Sequence, residues 1–496
     1  MAIAGIDIGT TGCKCTAYHA DGRYLSEAYV EYPHTNADGR ELNPVMVWEN
    51  VKKVLHDAAV NAGEEIRAIG VTSFGEAFVM LDENDRPVAN TILYTDDRGE
   101  EQCRILTERI GRERIMEITA LNPSSNFSIS KIMWMKKYKP QEYQRTKHIL
   151  LYSDFIIYML TGQAVMDYSL ATRTMAFDLK NRCWSREIFE AAEVEVEKMP
   201  LPVPTGSLAG TVRPDVAAET GISREALVSV GCHDQVAAAV GTGTFQAGTA
   251  VNGAGTVECI TPIFTSVEDT GVMMRGNYCT VPYVMPDTYV TYAYSNTGGA
   301  LLKWYRDKIA FMEAEQARKE GKDPYNVFNK GLSDDISDLL ILPYFAGSAT
   351  PYMDVTARGA ILGVTLETTS LDIYKALMEA VAYEDFLNME LIGQAGIHFK
   401  SLCTCGGGAK SPYWVQMKAD MLNMPIESLG SIQAGTTGSV MMAGVACGIY
   451  KNLQEASAVF RKEGVWYTPN EKKHALYMEK YEKYKKMYGA VKEVLG

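Results

Sequence analysis

Ile3-Ala4-Gly5-Ile6-Asp7-Ile8-Gly9-Thr10-Thr11-Gly12 is a short apolar run that delivers one carboxylate, Asp7, into a turn of glycines and threonine hydroxyls. The residues after the turn decide what kind of loop it is. Cys13–Tyr18 keeps a strand-like alternation and closes at His19-Ala20-Asp21-Gly22, so the pattern predicts a β-hairpin. A P-loop or a dinucleotide fingerprint would need the glycines to open a helix, and no helical pattern follows Gly12. A phosphate here would meet backbone N–H groups and the hydroxyls of Thr10 and Thr11. A plain tight hairpin, its glycines serving only positive φ, reads the same way, so the turn needs support from the rest of the chain.

The chain has 496 residues, 47% of them apolar, which suggests two to four domains with ample core. With 48 basic and 61 acidic residues the net charge is −13 and no basic stripe occurs, which argues against nucleic acid or an anionic membrane as partner. A small molecule is the expected ligand. The first residues carry no basic region followed by a long apolar one, and no apolar stretch of membrane-spanning length escapes a charge or glycine break; the expected location is cytoplasmic. The ten cysteines are scattered, and the closest pairs, Cys13/Cys15 and Cys403/Cys405, sit two apart within apolar strands. That spacing predicts small buried residues on one strand face, not a zinc site or disulfides.

Trp48, Val51, Val54, Leu55, Ala58 and Ala59 fall at helical spacing, Ile66–Ser73 reads as a strand entering Phe74-Gly75-Glu76, and Ala77–Leu81 as another. Alternating strands and helices make the class α/β. After the flexible Gly241-Thr242-Gly243-Thr244 the opening plan recurs, as strand, Gly/Thr turn and strand, in Gly248–Ile260. The halves read as a duplicated architecture, divided into residues 1–243 and 244–496.

A second motif, Val228-Ser-Val-Gly231-Cys232-His233-Asp234-Gln235, is a strand ending in a carboxylate ahead of a small-residue helix. Taken alone, Asp234 reads as a helix N-cap. Three glycine sites change the weighing: Asn252-Gly253-Ala254-Gly255-Thr256, Asn296-Thr297-Gly298-Gly299-Ala300, and Cys405-Gly406-Gly407-Gly408-Ala409-Lys410-Ser411-Pro412. In the last, Ser411 as N-cap and Pro412 at N1 mark a helix start, and a backbone stripped of side chains lets a charged ligand lie against it. Each site alone fits a cap or close packing. Four phosphate-suited turns in one chain are better explained by a divided nucleotide site.

These stretches, with Arg358-Gly359-Ala-Ile-Leu-Gly-Val364 leading to Ala376-Leu-Met-Glu379, and Trp414, Gln416, Ala419 and Asp420 after the glycines, resemble the FGGY family of carbohydrate kinases in the actin, Hsp70 and sugar-kinase superfamily. The resemblance runs from Ile3 to Leu453. It implies two ribonuclease-H-like (actin-like ATPase) domains around a central cleft, ATP held mainly by the C-terminal domain, and a sugar or polyol bound mainly by the N-terminal one. By the same resemblance Asp7 positions Mg²⁺ through water, Asp234 is the catalytic base and shares the metal site, and Gly9, Thr10, Thr11 and Lys14 form the phosphate hairpin. Gly255, Thr256, Gly298, Gly299, Gly407, Gly408 and Ala409 correspond to nucleotide contacts. Pro412 stands where glycerol kinases carry an Asn near adenine, a departure from the pattern. A homodimer is the family's common assembly.

The acceptor site is the least decided part. Phe74-Gly75-Glu76 matches neither the Gln-Met-His of typical xylulokinases nor the Gln-Arg-Glu of glycerol kinases, although Glu76 resembles the latter's acid. Tyr94-Thr95-Asp96-Asp97-Arg98 stands where many members read Trp-x-Asp-x-Arg, and Asn126 where glycerol kinases place a Tyr. Gly75, Glu76, Tyr94, Asp96, Asn126, Asp234 and Gln235 are therefore the expected acceptor residues, and their polarity suits a multi-hydroxyl substrate. The reading is an ATP- and Mg²⁺-dependent kinase acting on a primary hydroxyl of a ketopentose, polyol or sugar acid, its domains drawing together on substrate and expelling water. The alternatives are a catalytically weak sugar or nucleotide sensor and an actin-like nucleotide switch. The Lys- and Tyr-rich stretch Glu471–Lys486 reads as a solvated terminal helix.

Overall fold

The computed structural model describes residues 1–33 and 40–495. They form two compact units: Met1–Phe245 with Thr280–Val290 and Gln433–Arg461, and Gln246–Cys279 with Thr291–Ile432 and Lys462–Gly496. Against the sequence division at 243/244, two later segments return to the first unit. The second of them carries the helix Ala434–Ala446, which packs on the helix Asp234–Gly241 so closely that a Cβ on Gly438 would lie 1.9 Å from the Ala237 carbonyl oxygen.

In the first unit the sheet order is Leu208–Thr211, Leu227–Ser229, Ile66–Ser73, Ala2–Ile8, Gly12–His19, Tyr24–Glu31, with Cys232–His233 beside the end of Ile66–Ser73. The opening motif is the hairpin its alternation predicts, with Asp7 opposite Lys14. Ala2–Ile8 also runs parallel to Ile66–Ser73, placing Ile8 beside Ser73, and His233 pairs with Ser73 in turn. Three parallel strands therefore finish at one level. The segments that leave them, the Gly9–Gly12 turn, Phe74–Glu76 and Asp234, are delivered to the carboxyl end of the sheet. That is where open α/β sheets bind ligands.

Period-two alternation sends Ala2, Ala4, Ile6 and Ile8 into one core with Val47, Val51 and Leu55 of the helix Pro44–Ala62 and Phe155 and Ile156 of the helix Tyr152–Thr161. The first of these helices starts where Asn43 accepts from the N–H groups of Val45 and Met46, and Pro44 occupies N1. On the other face Asp7 meets the start of the helix Ala434–Ala446, where a Cβ on Gly435 would lie 3.2 Å from Asp7 Oδ2. The predicted strand Ala77–Leu81 is observed as Phe78–Leu81, paired with His148–Leu151 outside the main sheet.

The second unit repeats the plan. Ala250–Ala254 is antiparallel to Glu258–Phe264 and parallel to Leu402–Cys405, which lies beside Ile426–Ser428 and then Val465–Tyr467. The helix Ser370–Gln394 opens with a capping box between Thr369 and Asp372. The four closely spaced cysteines, Cys13, Cys15, Cys403 and Cys405, are buried and take part in no disulfide. The terminal helix Glu471–Tyr484 corrects the reading of that segment as solvated. Its tyrosines recur at positions 477, 481 and 484, which share one helix face, and all three are buried. Tyr484 and Tyr344 both donate to Glu384, and Tyr481 donates to Glu390 Oε2 at 2.7 Å.

Candidate active site

Asp234 begins the helix Asp234–Gly241, but it is not the cap. His233 Nδ1 accepts from the Gln235 N–H at 3.3 Å and lies 3.1 Å from Asp234 Oδ1, so the ring and the carboxylate share the helix start. The imidazole is buried and its pKa falls well below the usual histidine value, first by desolvation and then by the nearby Arg173 charge; the ring is neutral and Nδ1 offers a lone pair. Gln235 Nε2 donates to Asp234 Oδ1 at 3.3 Å. The Asp234 side chain keeps 37% of its surface accessible, so it is recessed, not sealed. Burial, then the negative charges of Asp7 and Glu76, push its carboxyl up to about 7. Burial likewise lifts Asp7 to about 6, against the pull of Lys14. Among the described residues, no group of three or more acidic, His or Cys side chains gathers as a metal cage.

The hairpin turn is closed by the Gly9 N–H donating to the Gly12 carbonyl at 2.9 Å; Thr10 is half-buried, Thr11 exposed, and Lys14 Nζ donates to Gln433 Oε1 at 2.7 Å.

Glu76 is buried and sits at φ 64°, in the left-handed region that a side chain other than glycine's enters at a cost. Its carboxylate is paired with Arg173, whose Nε donates to Oε1 at 2.6 Å. The missing side chain at Gly75 is required there, since a Cβ would stand 2.9 Å from both Arg173 Cγ and His233 Cδ2. Tyr94 leans on Phe74, ring centroids 6.5 Å apart, and burial together with the Glu76 and Asp234 charges raises its phenol to about 12. Lys131 is buried, donates to the Ser125 carbonyl at 2.6 Å, and is lowered to about 8 by desolvation in spite of Asp96 and Glu76. Asn126 comes directly after that carbonyl, half-buried, its N–H on Ser124 Oγ at 3.2 Å.

Asp96 differs from the other expected acceptor residues. Arg98 donates from Nε to Oδ1 and from Nη2 to Oδ2, each at 2.8 Å, and its backbone N–H adds a third bond at 2.8 Å. Burial would raise this carboxyl, but those bonds outweigh it and hold the pKa below its usual value. Its acceptor capacity is largely committed to its own loop.

In the second unit the glycine turns predicted for nucleotide meet one another. The Gly298 N–H donates to the Thr256 carbonyl at 3.0 Å and the Gly299 N–H to the Gly255 carbonyl at 2.9 Å. Gly406, at φ 107°, would place a Cβ 2.7 Å from the Ala254 carbonyl oxygen, whereas a Cβ on Gly407 would face open space. The predicted helix start at Ser411 and Pro412 is present, but a 3₁₀ turn, Gly408–Lys410, stands between the glycines and the helix Pro412–Leu422. Beneath the hairpin, Asn252 Nδ2 donates to Glu258 Oε1 at 2.7 Å, and fully buried Lys418 pairs with Glu258 and with Asp385 at 3.2 Å.

The N-terminal domain of the FGGY family of carbohydrate kinases matches residues 2–241, and its C-terminal domain matches residues 251–447. The chain belongs to the FGGY family of carbohydrate kinases. It is thus an ATP-dependent sugar or polyol kinase, a phosphotransferase with an alcohol group as acceptor. It is 25% identical to xylulose kinase of Bacillus subtilis (strain 168) over 99% of this chain and 97% of that one, and 29% identical to glycerol kinase of Halorhodospira halophila (strain DSM 244 / SL1) over 90% and 89%. The fold matches the solved structure of xylulose kinase from Rhodospirillum rubrum with a TM-score of 0.89 at 22% identity, covering 100% of this chain and 99% of that one. No helix among the described residues is long and apolar enough to cross a membrane.

Two residues beside the expected acceptor residues, Arg173 and Lys131, were not expected from the sequence, and His233 was read there only as part of the motif before Asp234. Arg173 and Lys131 lie outside every glycine motif. The available signal for His233 was its position beside Asp234 in a strand-to-helix turn, where a ring nitrogen can cap.

Proposed function

We propose that the kinase transfers the γ-phosphoryl of Mg·ATP to a primary hydroxyl of a multi-hydroxyl sugar or polyol, with Asp234 as general base. The observation that carries this reading is the state of Asp234: a recessed carboxylate at a sheet's carboxyl end, raised to about 7, near the pH at which a base works best. It accepts the proton of the attacking hydroxyl as the acceptor O–P bond forms and the bond from the γ-phosphorus to the β,γ-bridging oxygen breaks, ADP leaving. Phosphoryl transfer asks the protein mainly for positioning and charge neutralisation, with one carboxylate to orient the nucleophile.

The labour divides between residues 1–243, with the acceptor residues Gly75, Glu76, Tyr94, Asp96, Asn126 and Gln235, and residues 244–496, with the nucleotide turns at Gly255-Thr256, Gly298-Gly299 and Gly407–Ala409. Gly9, Thr10, Thr11 and Lys14 serve the phosphates. Asp7 and Asp234 fit Mg²⁺, a hard cation that takes one or two carboxylates plus phosphate oxygens and water. Burial lifts Asp7 to about 6 and, with the Asp7 and Glu76 charges added, Asp234 to about 7, and a bound cation would favour the ionised form of both. When bound, it neutralises charge on the transferred phosphate.

The relatives' names, xylulose kinase and glycerol kinase, support an acceptor among ketoses and polyols. Phosphorus–proton correlation NMR of the product tests the reading: a phosphomonoester on a CH₂ carbon is expected. Phosphate on a secondary carbon, or inorganic phosphate alone, overturns it.

A further inference from the structure

We propose that Arg173 is the positioning residue of the acceptor pocket, fixing the direction in which Glu76 presents its carboxylate; this rests on the kinase reading above. Glu76 cannot hold its place by backbone preference, since φ 64° is a conformation its side chain disfavours. Two contacts hold it. Ser128 Oγ donates to its carbonyl at 2.5 Å, and Arg173 donates to Oε1 of its carboxylate through Nε at 2.6 Å, with Nη2 in ion-pair contact with the same oxygen. The pair is nearly out of solvent, Glu76 at 10% and Arg173 at 14% side-chain exposure, so the fork is little screened by water. The guanidinium is fixed in its turn by the Phe127 ring, 5.0 Å below it. Gly75 keeps the space into which the Arg173 stem and the His233 ring both press.

Arg173 also connects acceptor recognition to the base. It closes the short helix Tyr168–Thr172, which Asp167 caps by accepting from the Ser169 and Leu170 N–H groups at 2.9 Å each. From that same helix Ser169 Oγ accepts the His233 N–H at 3.0 Å. One short element thus holds Glu76 through Arg173 and the residue before Asp234 through Ser169, setting the two carboxylates that bracket an acceptor.

The test uses the full chain with Mg·ATP and three acceptors, D-xylulose, glycerol and D-gluconate, on wild type, Arg173→Ala, Arg173→Lys, Glu76→Gln and Arg173→Ala/Glu76→Gln. For the acceptor that turns over, Arg173→Ala should lower kcat/KM on the order of 100-fold, mostly through acceptor KM, with ATP KM unchanged. Arg173→Lys, which keeps the charge but loses the fork, should recover only part, and the double variant should be little worse than Glu76→Gln alone. A merely structural Arg173 would instead lower the melting temperature while shifting both KM values together, and additive losses in the double variant would equally overturn the proposal. Crystal structures of Arg173→Ala and Arg173→Lys give a readout without turnover. A displaced Glu76 carboxylate in Arg173→Ala, partly restored in Arg173→Lys, supports the proposal, and an unmoved one contradicts it. Wild type without turnover on any acceptor would count against the kinase reading alone, because the crystallographic comparison still decides the role of Arg173.

Discussion

The proposed acceptor pocket of the first unit and the glycine turns of the second are built from opposite materials. The pocket is made of side chains, a charged set including Glu76, Arg173, Lys131 and Asp234, drawn from segments far apart in the chain and held by ion pairs and neutral caps. The turns are made of backbone: Gly255, Gly298, Gly299 and Gly406 pack main chain against main chain. Close-packed backbone without side chains leaves room for a nucleotide common to many kinases, whereas a side-chain pocket can be rewritten one residue at a time to suit a new acceptor. The loop Phe74-Gly75-Glu76, which matches neither family pattern, lies in the rewritable part.

If that contrast is right, damage to each region should fall on a different substrate. The largest effect belongs to Asp234→Asn, which should reduce kcat by about 10²–10⁴-fold while calorimetric ATP affinity stays near wild type. Glu76→Gln should weaken the charge-assisted bond to an acceptor hydroxyl and raise acceptor KM about tenfold, with ATP KM unmoved in the same initial-rate experiment. Gly299→Ala should do the reverse. Its new Cβ would meet the Gly255 carbonyl oxygen at 2.7 Å, and ATP KM should rise severalfold, on the order of the loss of one hydrogen bond, with acceptor KM unchanged. A common shift of both KM values in either variant breaks the comparison.

Acidity gives a finer probe. Because the base must be ionised, kcat/KM should fall as pH drops through about 7, the value to which burial and the Asp7 and Glu76 charges raise Asp234. The stability effect has the opposite sense. A carboxyl whose folded pKa is raised favours the fold at low pH and loses that contribution as pH rises through the folded value. Asp234→Asn should accordingly raise the melting temperature by a few degrees at pH 8 without Mg²⁺ or nucleotide, and by less at pH 5. No pH dependence of that difference would remove the charge argument.

Much of the fold and site was legible because strands that end in a carboxylate or in glycines leave a local mark. Asp7, Glu76 and Asp234 each come after a readable apolar run, and the four glycine sites stand out by composition. The repeated hairpin revealed the duplication in the same way. Arg173 left no such mark: it closes a five-residue helix, and its partner lies 97 positions away in the sequence. The terminal helix misled because composition was read without its face. Several lysines face solvent, while Tyr477, Tyr481 and Tyr484 turn inward, Tyr484 onto the buried Glu384 and Tyr481 onto Glu390.

The most direct test of the account is an ADP-release assay with Mg·ATP and a panel of ketopentoses, pentitols, tetritols, glycerol, hexuloses and sugar acids, run on wild type and Asp234→Ala side by side. The account predicts ADP release that depends on one acceptor class and disappears in the variant. ADP release that ignores the acceptor, or that survives in Asp234→Ala, would contradict it.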